Sequence, residues 1–458
     1  MEKLEDTTTK AKRGNWNTKL GFVLAAAGSA VGLGNIWGFP TQVADNGGAA
    51  FILVYLFCCF AIGLPVMIAE LTIGRRTQKN PVGAFRALSN NNFFASLIGF
   101  WGVLCGVMIL TFYLVLSGWT LGYVFEEIFF FFGSTELSAM FGDLGHGTKN
   151  ALFSLLFMLF TIMIISGGVS QGIERATKLF MPLLVGILII MTIYVLTLPN
   201  STDGLTLYFS PDFSTVNGSL ILSAMGQAFF SLSLGMGALI TYGSYLNKNQ
   251  NIVESAVYVT LADIGIAILA GLLIIPAMYV AQAGGIQILD SEGALISSVT
   301  LVFDVLPEMF HNMGGILGLI FGIAFFILLG LAALTSSISL LEVPVSYVID
   351  EHEISRNKAV WLVGGIVGVM AVIVSYDTSL IDILVSIFNE IGLPLGGLML
   401  CIFLSYFWNT EKALLEMKSG YPDIETSGFG NIWIIFIKYI CPILIALVLG
   451  NTLYQIFF

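Results

Sequence analysis

The sequence predicts an all-α polytopic membrane fold, and three observations carry that expectation. Of 458 residues, 57% are apolar and 10% charged, against about 45–50% and about 25% in soluble globular chains. The apolar residues gather into long runs, and a bilayer-spanning helix takes about 20 of them. Lys and Arg sort to one side of those runs.

Taken in order, the apolar runs lie at 18–42, 49–74, 94–132, 150–167, 177–199, 219–246, 253–283, 313–349, 358–376, 380–408 and 430–457. They predict eleven transmembrane helices. Several exceed the length that crosses about 30 Å of hydrocarbon, which implies tilt. Basic residues precede the first run (Lys3, Lys10, Lys12, Arg13, with Lys19 at its start) and follow the even-numbered ones (Arg75, Arg76, Lys79, Arg86; Arg175, Lys178; Lys248; Arg356, Lys358; Lys412, Lys418). Only Lys149 and Lys438 fall elsewhere. Cytoplasmic loops carry the excess of Lys and Arg, so the N-terminus is expected inside and the C-terminus outside. Segments 200–217 and 284–312 hold Asp203, Asp212, Asp290, Glu292, Asp304 and Glu308 without Lys or Arg, and are expected outside. The second is half apolar and is expected to fold back over the external mouth.

Net charge is −11, from 18 Lys and Arg against 29 Asp and Glu. That excludes the basic field on which nucleic-acid binding depends. The five cysteines all lie in apolar runs with no C-x-x-C pair, so neither a disulfide frame nor a zinc site is indicated. The polar start shows no removable signal peptide. His146, His311 and His352 fall in or beside loops and no H-E-x-x-H occurs, which argues against a membrane hydrolase.

Two runs carry interruptions that an anchor does not need. The first contains Gly28-Ser29-Ala30-Val31-Gly32-Leu33-Gly34-Asn35, and the sixth Phe230-Ser231-Leu232-Ser233-Leu234-Gly235-Met236-Gly237. Small residues four apart also make helix-packing seams, so either run alone has two readings. Their pairing as first and sixth favours a transporter of inverted five-helix repeats, whose paired broken helices mark the substrate site. The repeats would cover 18–199 and 219–408, with 430–457 an extra helix. Unwound backbone offers N–H groups to an anion and carbonyls to a cation. Asn35, Ser231, Ser233 and Thr335-Ser336-Ser337 supply oxygens suited to a hard cation, although such hydroxyls also bond their own i−4 carbonyls. Asp263, inside an apolar run, is a functional candidate by default. It would hold either a cation or a proton.

With these residues in view, the chain resembles bacterial members of the neurotransmitter:sodium symporter family, from about Arg13 to the end. The resemblance rests on Trp16–Pro40 (WNTKLGFVLAAAGSAVGLGNIWGFP), Gly63–Arg76 (GLPVMIAELTIGRR), Gly226–Tyr245 (GQAFFSLSLGMGALITYGSY) and Leu334–Asp350 (LTSSISLLEVPVSYVID). It implies a LeuT-like 5+5 inverted repeat with broken helices 1 and 6. It also implies a sodium-coupled, non-enzymatic symporter with two Na+ sites, an amino-acid substrate, a lipid surround and no obligate protein partner. The first sodium site would use the Ala30 carbonyl, Asn35, Ser231 and Asp263, completed by the substrate carboxylate. The second would use the carbonyls of Gly28, Val31 and Ala332 with the hydroxyls of Thr335 and Ser336. The substrate carboxylate would meet Leu33, Gly34 and Tyr113, and its amino group Ala30, Phe230 and Ser233. Ile109, Phe230, Met236, Ser336 and Leu340 would surround its side chain.

By the same resemblance, Gly32 stands where monoamine carriers have Asp, so an amino acid fits better, hydrophobic or aromatic in view of the apolar lining. Asp263, standing where relatives often have Asn, would make chloride unnecessary; chloride-coupled relatives bind the anion near positions matching Tyr55, Gln227 and Ser231. Gly38 replaces the usual external-gate Arg or Lys, and its carboxylate partner is missing near Val385. Phe230, Tyr113 and the 284–312 loop would then close the gate sterically. Arg13, Trp16, Tyr245 and Asp350 match the inner gate, with an Arg13–Asp350 pair. Gly172 and Pro182 in the fifth run match a spacing that permits local unwinding. The rival readings are a proton-coupled or sodium-independent exchanger of the same architecture, and a sensor that binds without transporting.

Overall fold

The computed structural model describes residues 14–288, 299 and 301–457, and among them there are helices and no strands. Among the described residues, nine helices are long and apolar enough to cross a bilayer: Ala49–Thr77, Phe93–Phe131, Gly147–Ser166, Val169–Leu196, Ile252–Ala283, Gly315–His352, Arg356–Tyr376, Ser379–Trp408 and Phe429–Ile456. A tenth is the pair Lys19–Ala30 and Gly34–Asp45, bent by 57°. Gly218–Ser231 and Ala238–Gly243 form another interrupted pair at the sixth apolar run, each half too short to cross alone. We number the spans one to eleven in chain order, with these two pairs as the first and sixth.

The packing separates two groups. The third and eighth spans lie along one another, as do the fourth and ninth, and the third also packs on the fourth and ninth. The first span packs on the seventh, and the sixth on the second. The second and seventh also touch. A group of spans 1, 2, 6 and 7 therefore sits against a group of 3, 4, 8 and 9. Exposed Leu, Ile and Phe cover the periphery, as a lipid-facing surface requires. All five cysteines are buried and free.

Both breaks have local causes. In the first span, Val31 leaves the helix in an extended conformation and the chain resumes in a wider turn over Gly34–Gly38. A side chain at Gly32 would lie 2.5 Å from Ser336 Oγ and 2.7 Å from Tyr113 Oη, so only glycine allows this approach. In the sixth span, Ser233, Gly235 and Gly237 have φ of 53°, 85° and 75°. Left-handed backbone cannot continue an α-helix. The fifth span behaves differently: Gly172 lies in a wound turn, Val169–Glu174, and Pro182 is inside the helix Arg175–Leu196. A Cβ at Gly172 would stand 2.0 Å from the Ile164 carbonyl oxygen, so close packing accounts for this glycine.

Candidate transport site between the broken spans

Asn35, Tyr55, Ser231 and Asp263 come from four spans and meet in a fully enclosed cluster. Asp263 accepts hydrogen bonds from Asn35 Nδ2 at 2.7 Å, Ser231 Oγ at 2.8 Å and Tyr55 Oη at 3.5 Å. Asn35 Nδ2 also donates to Ser231 Oγ at 2.9 Å, and Asn35 Oδ1 accepts from the Gly32 amide at 3.1 Å. The carboxylate is thus neighboured by donors that are all uncharged. Dipoles offset part of the desolvation cost of a buried charge, and a cation would offset the rest.

A second oxygen cluster lies on the other side of the same break. Thr335 Oγ1 is 3.4 Å from the Val31 carbonyl oxygen and 3.0 Å from that of Ala332. Ser336 Oγ is 3.3 Å from Val31 O and 3.4 Å from Ser29 O. Gly28 faces Thr335, with Met181 of the fifth span beside them; a Cβ there would sit 3.2 Å from Thr335 Cβ and 3.3 Å from Met181 Sδ. This cluster has no formal charge.

Between the clusters is a cavity lined among others by Ala30, Gly34, Tyr113, Phe230, Met236 and Leu340. The Leu33 amide donates to Tyr113 Oη at 3.1 Å. Ser233 donates to the Ser29 carbonyl at 2.9 Å, tying the two breaks together. Phe230 lies so close over Gly34 that a Cβ there would be 2.5 Å from its ring. Beyond Phe230 a wider recess is lined by Gln42, Gln227, Asn389 and Glu390 among others.

The two ends of the site are closed unequally. On the face where the basic residues gather, Trp16 Nε1 donates to the Tyr242 carbonyl at 3.0 Å, and Tyr245 Oη to Glu342 Oε1 at 2.6 Å. Arg356 grips both oxygens of Glu342, at 2.5 and 3.1 Å. Asp350 accepts from the Asn80 amide and side chain at 2.8 and 3.1 Å. Arg13 lies outside the described residues, as do 289–298 and 300 of the expected cap. On the opposite face Gly38 opens toward Gln227, whose amide reaches the Gly34 carbonyl at 3.0 Å. The described part of the cap puts Phe303 against Trp37, Trp119 and Tyr123.

A family model described as "Sodium:neurotransmitter symporter family" matches residues 13–131 and 127–457. The chain belongs to that family. The family is one of sodium-dependent membrane transporters, not enzymes. The sodium-dependent transporter YhdH of Bacillus subtilis is 32% identical, over 96% of this chain and 97% of its own. A sodium-dependent transporter of Haemophilus influenzae is 33% identical, over 98% and 100%. Among solved structures, that of MhsT in complex with L-phenylalanine is similar, with a TM-score of 0.83, 41% identity and coverage of 96% of this chain and 100% of that one. The LeuT-like all-helical fold is therefore shared with a transporter of the same family.

Within this family member, nine of the ten residues expected around a substrate line the cavity, and the tenth, Leu33, reaches it through Tyr113. Sequence reading missed Asn389 and Leu393, which the tenth span adds to the lining. It gave no role to Glu70, which accepts the Gly235 amide at 2.7 Å and so holds the sixth-span break. The signal for Glu70 was present: an acid inside the apolar run of the second span. Glu342 carried the same signal inside the eighth apolar run, but its partner did not, because Arg356 reads as a cytoplasmic loop charge.

Proposed function

We propose that this family member is a symporter that imports a hydrophobic or aromatic amino acid with Na+, by alternating access and without chloride. The observation that carries the reading is the pair of broken spans enclosing one cavity between two oxygen clusters. Asn35, Ser231, Asp263 and the Ala30 carbonyl would hold one Na+, with the substrate carboxylate as a further ligand. Thr335, Ser336 and the carbonyls of Gly28, Val31 and Ala332 would hold a second. The Leu33 and Gly34 amides and Tyr113 would receive the carboxylate, and carbonyls of Ala30 and Phe230 with Ser233 the amino group. Ile109, Met236, Ser336 and Leu340 would contact the side chain.

Apolar walls and the absence of an acid at Gly32 support a zwitterion with an apolar side chain over an amine. The L-phenylalanine in the MhsT crystals supports the same class. Asp263 supplies the negative charge that a bound anion would otherwise bring. The basic face is assigned to the cytoplasm, placing the C-terminus outside. The repeats are assigned to 18–199 and 219–408, with 430–457 outside them. One Na+ moving down about 100 mV delivers about 2.3 kcal/mol, and two about double that. The rival is a proton-coupled exchanger with Asp263 as the proton carrier.

The test is binding of each amino acid to the purified protein with and without Na+, followed by uptake into proteoliposomes. Uptake of phenylalanine or a similar residue under a sodium gradient supports the reading. Uptake driven by a pH gradient alone transfers the role to the exchanger, and sodium-dependent binding without flux indicates a sensor.

A further inference from the structure

Glu126 and Glu127 are consecutive residues near the end of the third span, and His311 lies on Leu306–Met313, the helix before the eighth span. Their side chains are 8%, 1% and 16% exposed. His311 Nε2 is 3.4 Å from Glu126 Oε2 and 3.4 Å from Glu127 Oε2. One ligand atom from each residue lies within 4.8 Å of the others. Among the described residues, Glu127 Oε1 has no hydrogen-bond partner, while Glu126 Oε2 and His311 Nε2 meet only in ion-pair contacts that fall outside good hydrogen-bond geometry. Buried polar atoms rarely go without one.

The surroundings hold these groups in place. Ser138 donates to Glu126 Oε1 at 2.7 Å, and the His311 ring stacks on Phe130 with centroids 3.5 Å apart. A tetrahedral zinc ion with bonds of about 2.0–2.2 Å separates its ligand atoms by roughly 3.3–3.5 Å. Both nitrogen-to-oxygen spacings here have that length, and the three ligand atoms together lie within 4.8 Å of one another.

We propose that Glu126, Glu127 and His311 form a binding site for a divalent transition-metal ion of the zinc type, with water completing the coordination. Two carboxylates neutralise its charge, and one imidazole selects it over calcium, which takes six to eight oxygens. Ser138 acts from outside the ligand set by orienting Glu126. The site joins the third span to the segment whose Phe303 covers Trp37. A bound metal would therefore pin this cap and slow transport. A proton is the rival occupant: burial lowers the imidazole pKa, but the pull of the two carboxylates outweighs it and raises it to about 9.

The test is calorimetric titration of ZnCl2, with MgCl2 as control, into EDTA-stripped full-length protein. We expect one saturable zinc site that His311→Ala and Glu127→Gln each weaken at least tenfold, and that Ser138→Ala weakens by about tenfold. Where Glu127→Gln does not fold, His311→Asn decides. No saturable zinc binding, or equal binding by wild type and His311→Asn, overturns the proposal and leaves a buried ion pair. Zinc outside proteoliposomes should slow uptake by wild type and not by His311→Ala. Zinc that binds but leaves uptake unchanged overturns the pinning and keeps the site. The calorimetry needs no transport, so it stands whatever the substrate proves to be.

Discussion

The two oxygen clusters beside the first-span break are built on different terms. The one around Asp263 draws on spans 1, 2, 6 and 7, which pack as one group, and it is closed by hydrogen bonds of 2.7–2.9 Å from Asn35 and Ser231. The one around Thr335 joins span 1 to span 8 across the boundary between the two groups, through contacts of 3.3–3.4 Å. If the groups move against each other during transport, the first cluster travels intact and the second is made and broken. Charge and rigidity would then give the first its affinity for a cation. The second would report, through its cation, which way the site faces.

The largest expected effect tests the first half of that contrast. Asp263→Ala leaves the Ser231 hydroxyl without its buried acceptor, at about 1–3 kcal/mol for an unsatisfied group, while Asn35 and Tyr55 still reach Ser231 Oγ, and it removes the cluster's only formal charge. Sodium-dependent uptake should fall at least 100-fold. Asp263→Asn should retain a fraction of uptake that rises with added chloride. Strong chloride stimulation of the wild type would break the comparison, since the protein's own charge would not be sufficing.

Thr335→Val keeps the shape and removes one oxygen from the boundary cluster. Sodium affinity should fall about tenfold, which is about 1.4 kcal/mol. The distribution between inward and outward states should shift with it. Because the native cysteines are buried, labelling of a single cysteine introduced on the basic face would read that distribution. A Thr335→Val variant with weaker sodium binding and unchanged labelling would assign the cluster to affinity alone.

The smallest effect on sodium affinity is expected of Tyr245→Phe, which removes the hydroxyl that bonds Glu342 across the groups at 2.6 Å. A hydrogen bond to a charged group is worth about 1.5–3 kcal/mol, so labelling from the basic face should rise about tenfold or more while sodium affinity stays near wild type. Arg356 still holds Glu342 in that variant, so no buried charge is stranded. Loss of sodium affinity here would mean that the inner closure and the Asp263 cluster are not separable.

Much of this was legible in the sequence because the bilayer enforces it. A spanning segment must satisfy its backbone internally and present apolar side chains, so composition and run length give the helices almost directly. The breaks were legible through Gly32, Gly34, Gly235 and Gly237, since glycine supports left-handed or closely approached backbone. In the fifth span, Gly172 has the spacing expected to permit local unwinding, and here it lies in a wide turn packed against Ile164.

Periodicity and composition thus determined which segments cross and where two of them fail as helices, because both follow from each residue's own backbone and solvent preferences. Which side chains face one another was decided only by the tertiary structure. Asn389 reaches a cavity made by spans far away in sequence, Arg356 turns from a loop charge into Glu342's partner, and His311 meets Glu126 and Glu127 across some 180 residues. Contacts of that kind depend on how the helices are rotated and packed, and no local sequence pattern encodes that rotation.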